Sequence, residues 1–148
     1  IGWARLLPTT GPTMLSQVFS KLLGPDQAIR SPIVWESTRF CVDTPRLTER
    51  GPRSLARTTA HLMAAEIEIG LSAGLKHIVT VIDLRMERIL MRAGCPIERI
   101  GDVVQYGDIP TLAVLVPVNL ETLSRICATN GIEGSCLEQP ALQLGNAA

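Results

Sequence analysis

Residues 34–43, VWESTRFCVD, combine a strand-like pattern with four consecutive polar side chains, Glu36, Ser37, Thr38 and Arg39. A carboxylate can remove a proton from a reacting group, and a guanidinium can bind a carboxylate or phosphate through two parallel hydrogen bonds. Side-chain alternation along a strand puts Glu36 and Arg39 on opposite faces unless a β-bulge shifts the register, and bulges occur beside active sites. The stretch therefore fits a strand under an active-site cleft. A strand whose polar side chains simply face water is the alternative.

Two other places carry polar side chains that could bind a substrate. Arg50 and Arg53 precede a predicted long helix, where basic side chains near a helix start can hold a phosphate. A solvated basic loop fits them equally well. Thr80 lies within the apolar segment 76–83 and would be a polar group on the floor of any pocket there. Its β-branched shape alone also explains its place in a strand.

The cysteines and histidines do not follow a metal-binding pattern. The chain has four cysteines and two histidines, without the spacing of a zinc site. His61 and Glu66 lie five residues apart on a predicted helix, so they are not neighbours on one face. We expect no metal ion, no tightly bound cofactor, and cysteines that stay reduced in the cytoplasm.

Positive charge is concentrated early in the chain, although the net charge is zero. Residues 1–57 contain eight Lys or Arg against four Asp or Glu, and the remainder carries the opposite excess. A basic half suits an anionic partner, such as a phosphate-bearing carrier or an acidic protein. No basic motif with interleaved aromatic residues favours nucleic acid, and no apolar run reaches the ~20 residues of a membrane-spanning helix.

Alternating strand and helix patterns predict one α/β domain. Hydrophobic residues make up 46% of the 148 residues, which suffices for a single core. Strands that alternate with helices are typical of a central sheet covered by helices. The predicted strands are 3–8, 34–43, 76–83, 97–108 with its turn, and 111–118; the predicted helices are 13–23, 53–73, 84–94 and 120–127.

Three motifs in order, RLLPTTGPTML, WESTRFCVD and HIVTVIDLRMERILMRAG, closely resemble those of the acyl-homoserine lactone synthases, the LuxI-type autoinducer synthases of quorum-sensing bacteria. The resemblance runs from about Trp3 to Asn119. It implies a three-layer α/β/α sandwich similar to that of the N-acetyltransferases. It also implies acyl transfer from acyl carrier protein, or from acyl-coenzyme A in some members, to the amine of S-adenosylmethionine. Lactonisation then expels methylthioadenosine.

The resemblance also implies roles for the polar strand residues. Glu36 matches the acid proposed to help deprotonate the attacking amine, and is therefore the expected catalytic residue. Arg39 and Arg5 match arginines expected to bind the substrate carboxylate or a carrier phosphate. A guanidinium suits that task because its fork of donors matches two oxygens at once, which a lysine does not.

Three more residues match substrate-binding positions of the same family. Thr38 lies where members have a small hydroxyl residue near the acyl donor, and Phe40 is expected to pack along the substrate. Thr80 matches a threonine that accompanies a preference for 3-oxo acyl chains in several members. Arg50 and Arg53 are kept as candidates for binding phosphate or the carrier.

The chain also departs from the family pattern. Full-length members begin with a segment containing an arginine, aromatic residues and two aspartates that help to bind S-adenosylmethionine, and no part of this sequence matches it. We expect a synthase domain over 1–128 that lacks this first segment and is thus N-terminally incomplete, followed by a variable tail over 129–148.

Three functional hypotheses follow. The first is an acyl-homoserine lactone synthase with small-molecule substrates and acyl carrier protein as the expected partner. The second is another coenzyme A-dependent acyltransferase of the same fold, against which the absence of a pyrophosphate-binding loop counts. The third is a truncated relic that binds the carrier without turnover.

Overall fold

The computed structural model describes residues 2–24, 27–46 and 52–138. They form a mixed five-stranded sheet in the order β1-β2-β3-β5-β4. The strands are β1 Gly2–Pro8, β2 Val34–Val42, β3 His77–Asp83, β4 Glu98–Tyr106 and β5 Ile109–Pro117. The helices are α1 Met14–Gln17, α2 Pro52–Ser72, α3 Leu84–Arg92 and α4 Leu120–Asn130, with 3-10 turns at Ser20–Leu23 and Thr44–Arg46.

The sheet opens into a gap between the neighbouring strands β2 and β3. They run parallel and pair over only four positions, from Val34 opposite His77 to Ser37 opposite Thr80. Beyond those positions β2 pairs with β1 alone, and β3 pairs with β5 alone. The two strands therefore separate after Ser37 and Thr80. Within the described residues, their facing backbone edges have no partner strand beyond this point.

The main core lies between one face of the sheet and helices α2, α3 and α4. The buried side of α2 carries apolar residues at helical spacing, as predicted from the sequence. No helix in the described ranges is long and apolar enough to cross a membrane. The buried residues of this core include Ala60, Met63, Ala64, Ile67, Ile78, Ile82, Leu90, Leu112, Val114, Val116 and Ile126.

A second, smaller core lies on the opposite face, under α1 and the 3-10 turn that follows it. Helical segments thus cover both faces of the sheet, which confirms the predicted α/β/α sandwich, although the layer on this face is short. The buried residues here are Leu15, Leu22, Leu23, Val79 and Ala113.

The prediction of one continuous helix over 13–23 is wrong, because the α-helix ends at Gln17 and a separate 3-10 turn begins at Ser20. A continuous helix would turn Val18 toward the core together with Leu22, its neighbour one turn on. Instead Val18 is 52% exposed, whereas the consecutive Leu22 and Leu23 are both buried. The break allows two adjacent leucines to reach the core at once.

The last helix extends beyond its predicted end, to Asn130, and thus runs past the predicted boundary at 128. Ile132 after it is buried. The backbone N–H of Cys136 donates to Glu68 of α2 at 3.0 Å. The described part of the predicted tail therefore packs on the domain, and the division into a domain and a variable tail remains a prediction.

Candidate active site

The separation of β2 and β3 opens into a cavity of about 690 Å³. The buried part of its lining is mostly apolar, with a few polar side chains among it, which is the usual form of a small-molecule site. The apolar lining includes Met63, Ile67, Ile78, Leu90 and Val116. The polar lining includes Arg5, Ser37, Thr38, Arg39, Glu66 and Thr80.

A β-bulge in β2 brings consecutive residues of the strand to this cavity. Trp3 pairs with Cys41, and Arg5 pairs with Thr38. Between these pairs, two residues of β2 lie opposite one residue of β1. Arg39 lies in that interval with φ 56°, in the left-handed region, which costs a residue with a side chain ~1–3 kcal/mol. Thr38, Arg39 and Phe40 all line the cavity, which strict side-chain alternation would prevent.

The outer part of the cavity carries two guanidinium groups. The Nε of Arg5 donates to Oγ1 of Thr38 at 3.1 Å, which links β1 to β2. Arg5 and Arg39 are both exposed, and neither forms an ion pair with a carboxylate in the described residues. Their charges are therefore available to an anionic group of a bound molecule.

A polar cluster lies where the two central strands separate. Oγ1 of Thr80 donates to the backbone carbonyl of Ser37 at 3.0 Å. The hydroxyl of Ser37 donates to Oε1 of Glu66, on α2, at 2.6 Å. Residues from β2, β3 and α2 thus form one hydrogen-bonded cluster where the two strands separate.

Burial controls the protonation of Glu66. It raises the pKa of this carboxyl from 4.5 to about 7, and the hydrogen bond from Ser37 opposes the rise only in part. Burial, and to a smaller extent the charge of Glu66, raise the pKa of the nearby Cys95 thiol to about 12. The carboxyl therefore changes charge near neutral pH, and the thiol stays protonated.

Sequence reasoning missed Glu66, Ser37 and Tyr106 as lining residues. The spacing of His61 and Glu66 excludes a metal pair, but a single carboxyl on a helix carries no sequence signal that it faces a pocket. The buried hydroxyl of Tyr106 has no hydrogen-bond partner in the described residues, and its ring packs edge-on against Phe19 with centroids 4.9 Å apart. Only the folded contacts reveal these groups.

Glu36 lies apart from the cavity lining. It is fully buried, with 0% of the residue exposed. Its Oε2 accepts the backbone N–H of Met14 at 2.9 Å, and its Oε1 accepts that of Leu15 at 2.7 Å. The bulge does not pair Glu36 with Arg39 in the described structure. Glu36 thus holds α1 against the sheet, directly beneath Met14, which does line the cavity.

Five of the other predicted site residues meet at the cavity: Arg5, Thr38, Arg39, Phe40 and Thr80. Their substrate-binding roles remain predictions.

The two loop arginines lie elsewhere. Arg53 is exposed in the first turn of α2 and does not line the cavity. Arg50 falls outside the described residues. In the part of the chain that the structure describes, no three His, Cys, Asp or Glu side chains group as metal ligands.

The sheet, its gap and the mostly apolar cavity define an α/β domain with a candidate small-molecule site. The family model described as "Autoinducer synthase" matches residues 1–126, so the chain belongs to the autoinducer synthase family. An acyl-homoserine-lactone synthase of Rhizobium radiobacter is 40% identical over 127 residues, which are 86% of this chain and 60% of the relative. The chain thus spans about 60% of the length of that relative.

Solved structures of acyl-homoserine lactone synthases share this fold, which is similar to that of the N-acetyltransferases. The synthase LasI aligns with a TM-score of 0.73 at 30% identity, over 94% of this chain and 66% of LasI. The coenzyme A-dependent synthase BjaI, solved with S-adenosylmethionine and isopentyl-coenzyme A, aligns with a TM-score of 0.77 at 25% identity. That alignment covers 90% of this chain and 60% of BjaI.

Proposed function

We propose that the protein is an acyl-homoserine lactone synthase, which transfers an acyl group from a carrier thioester to the amine of S-adenosylmethionine and then closes the lactone. The observation that carries this proposal is the gap between β2 and β3 leading into an apolar cavity, in a chain of the autoinducer synthase family. The cavity volume of about 690 Å³ is ample for a medium-length acyl chain.

The gap suits an extended thioester arm. Beyond Ser37 and Thr80 the backbone edges of β2 and β3 face each other without a partner strand in the described residues. Free N–H and C=O groups at a strand edge bind an extended chain that carries amides, as in strand addition. The acyl group then extends toward the apolar residues under α2.

The two arginines at the outer part of the cavity suit the charged ends of the substrates. Arg5 and Arg39 project from neighbouring strands, and both are exposed. Either guanidinium can bind the carboxylate of the amine substrate or a carrier phosphate through two hydrogen bonds. Arg5 is already oriented by its bond to Thr38.

The proposed reaction has two balanced steps. The amine loses a proton and attacks the thioester carbonyl, an amide forms, the C–S bond breaks, and the carrier thiolate takes up a proton. The substrate carboxylate then attacks the carbon bonded to the sulfonium, and methylthioadenosine leaves as a neutral thioether.

The family resemblance makes Glu36 the group that takes the amine proton. This role remains a proposal, because α1 engages both carboxylate oxygens in the described structure. Glu36 is also buried and does not line the cavity, so proton transfer from the amine requires a bridging water or a movement of α1. A base at this step contributes ~10²–10⁴ in rate, which is large enough to measure.

Acyl carrier protein is the proposed acyl donor, because the exposed arginines suit an acidic, phosphate-bearing partner. Acyl-coenzyme A is the alternative donor, and the fold shared with the coenzyme A-dependent BjaI favours it. Purified acyl carrier protein and coenzyme A thioesters of the same chain, compared at equal concentration, distinguish the two.

The function is tested by mass spectrometry of culture extracts. Cells express this chain alone, or a chimera in which the Rhizobium radiobacter relative supplies the residues that this chain does not cover. Lactones from the chimera support the proposal, and lactones from both show that these residues suffice. Folded protein without lactone in either culture contradicts it and favours the carrier-binding relic. Acyl transfer to a plain amine favours another acyltransferase.

A further inference from the structure

We propose that Asp83, together with the aromatic rings of Phe19 and Tyr106, forms a subsite for the sulfonium group of the amine substrate. Asp83 is then a specificity-determining residue that separates S-adenosylmethionine from neutral thioether analogues. The inference rests on the acyl-transfer function proposed for the cavity.

The first support is the unequal use of the two carboxylate oxygens of Asp83, the last residue of β3. Its Oδ1 accepts the backbone N–H of Met86 at 2.6 Å and so caps α3. Its Oδ2 receives no hydrogen bond and forms no ion pair with any residue that the structure describes. Thr111, its partner on β5, donates its hydroxyl to the carbonyl of Ile109 instead. Because Asp83 lines the cavity, this oxygen is available to a bound cation.

The second support is the company that Asp83 keeps on its face of the sheet. Val79 and Val81 belong to the smaller core under α1, and alternation along β3 puts Asp83 on the same face. Phe19 and Tyr106 pack against that core and also line the cavity. Their rings meet edge-on, with centroids 4.9 Å apart. A carboxylate and two aromatic rings therefore line one side of the cavity.

This combination matches the chemistry of a sulfonium. A sulfonium carries a positive charge but has no N–H or O–H to donate, so it is bound by negative charge and by aromatic rings, as quaternary ammonium groups are. The attacking amine is a poorer match, because it must give up its proton and charge before it reacts. The sulfonium keeps its charge until the lactone closes.

The third support is the arrangement of charge across the gap. Ser37 and Thr80 are the last paired residues of β2 and β3, and Asp83 lies as far beyond this pair as Phe40 does on the opposite strand. Arg39, the neighbour of Phe40, lines the same cavity and forms no ion pair with Asp83 in the described residues. A positive wall and a negative wall thus face each other.

The amine substrate suits these two walls. It carries a carboxylate at one end of a short carbon chain and the sulfonium at the other. The carboxylate can bind a guanidinium while the sulfonium lies at Asp83. Once methylthioadenosine has formed, its sulfur is neutral and the attraction to Asp83 ends, which favours its release.

The capping role of Asp83 does not explain its charge. An asparagine caps a helix about as well as an aspartate, because a single side-chain oxygen suffices. The positive end of the α3 dipole stabilises the carboxylate, but it leaves Oδ2 without a partner. Asp83→Asn therefore removes the charge and keeps the cap.

The test is calorimetric binding of S-adenosylmethionine and of S-adenosylhomocysteine, its neutral analogue without the sulfonium methyl, to this chain without an acyl donor. We expect the wild type to prefer S-adenosylmethionine by ~10-fold, and added salt to reduce that preference. Asp83→Asn should lose the preference through weaker binding of S-adenosylmethionine alone. Asp102→Asn, which changes an exposed acid of β4 outside the cavity lining, is the matched control and should keep it.

Equal preferences in the wild type and Asp83→Asn overturn the proposal, as does the absence of binding to folded wild-type protein. If Asp83→Asn does not fold, equal wild-type affinities for the two ligands, or a preference that salt does not reduce, have the same consequence. Charge discrimination by this chain without lactone from the chimera would refute the synthase function alone. Lactone synthesis by the chimera without charge discrimination would refute the sulfonium subsite alone.

Discussion

The backbone N–H of Leu15 donates to the carboxylate of Glu36 at 2.7 Å, and so fixes the first turn of α1 to β2. The neighbouring N–H of Met14 binds the other oxygen at 2.9 Å. The acid that the family resemblance assigns to proton transfer thus also has a structural task. The two tasks predict different effects of one substitution.

Glu36→Gln distinguishes the structural task of Glu36 from its proposed role as the base. A glutamine offers one acceptor oxygen for two backbone N–H groups, so we expect the free energy of unfolding to fall by ~1–3 kcal/mol in urea titrations. If Glu36 is also the base, turnover of the chimera falls by ~10²–10⁴ with little change in substrate binding. A destabilised variant with an unchanged rate would limit Glu36 to its structural task.

The left-handed backbone at Arg39 predicts a difference between two substitutions that both remove the guanidinium. Glycine tolerates φ 56°, whereas alanine keeps the strain, so Arg39→Gly should exceed Arg39→Ala in unfolding free energy by ~1 kcal/mol. Both variants should bind S-adenosylmethionine more weakly than the wild type. Chemical denaturation compares the pair, and a glycine variant less stable than the alanine variant would show that the bulge is not strained.

Two glycines with positive φ form a second matched pair. A Cβ at Gly101 would lie 1.7 Å from the carbonyl oxygen of Leu22, which is backbone and cannot turn aside, whereas a Cβ at Gly107 meets nothing within 4 Å. We expect Gly107→Ala to cost ~1 kcal/mol of backbone strain, and Gly101→Ala to cost several times more or to prevent folding. Thermal unfolding measures both, and equal losses would contradict the close packing of β4 on the 3-10 turn.

Glu66 predicts how stability depends on pH. Its pKa is about 7 in the folded protein against 4.5 ordinarily, so between these values the folded state binds more protons than the unfolded state. The free energy of unfolding should therefore fall as the pH rises through that interval, by ~1–3 kcal/mol in total. The difference between wild type and Glu66→Gln, measured by urea titration at several pH values, should show this slope. Parallel curves would mean that Glu66 titrates normally.

Much of the fold follows from local pattern in the sequence. The β-branched run of β3 and the helical spacing of α2 each specify one element and its buried face, and both elements form where predicted. The break after Gln17 was not predictable from spacing, because it depends on two consecutive leucines packing against distant strands.

Part of the site also follows from the sequence. The motifs name Arg5, Thr38 and Arg39 as candidates, which line the cavity. A bulge is the predicted condition for bringing opposite faces of the strand together. Which way Glu36 points, and that Glu66 reaches the cavity, depend on contacts between elements far apart in the chain. Single residues on a strand or helix carry no sign of such contacts.

Product stoichiometry tests lactone synthesis most directly, with the purified chimera supplied with S-adenosylmethionine and a hexanoyl thioester. We predict that acyl-homoserine lactone, methylthioadenosine and free carrier thiol appear in equal amounts, as quantified by chromatography with mass detection. Thiol released without methylthioadenosine, or no reaction by folded protein, would contradict the proposal that this cavity serves lactone synthesis.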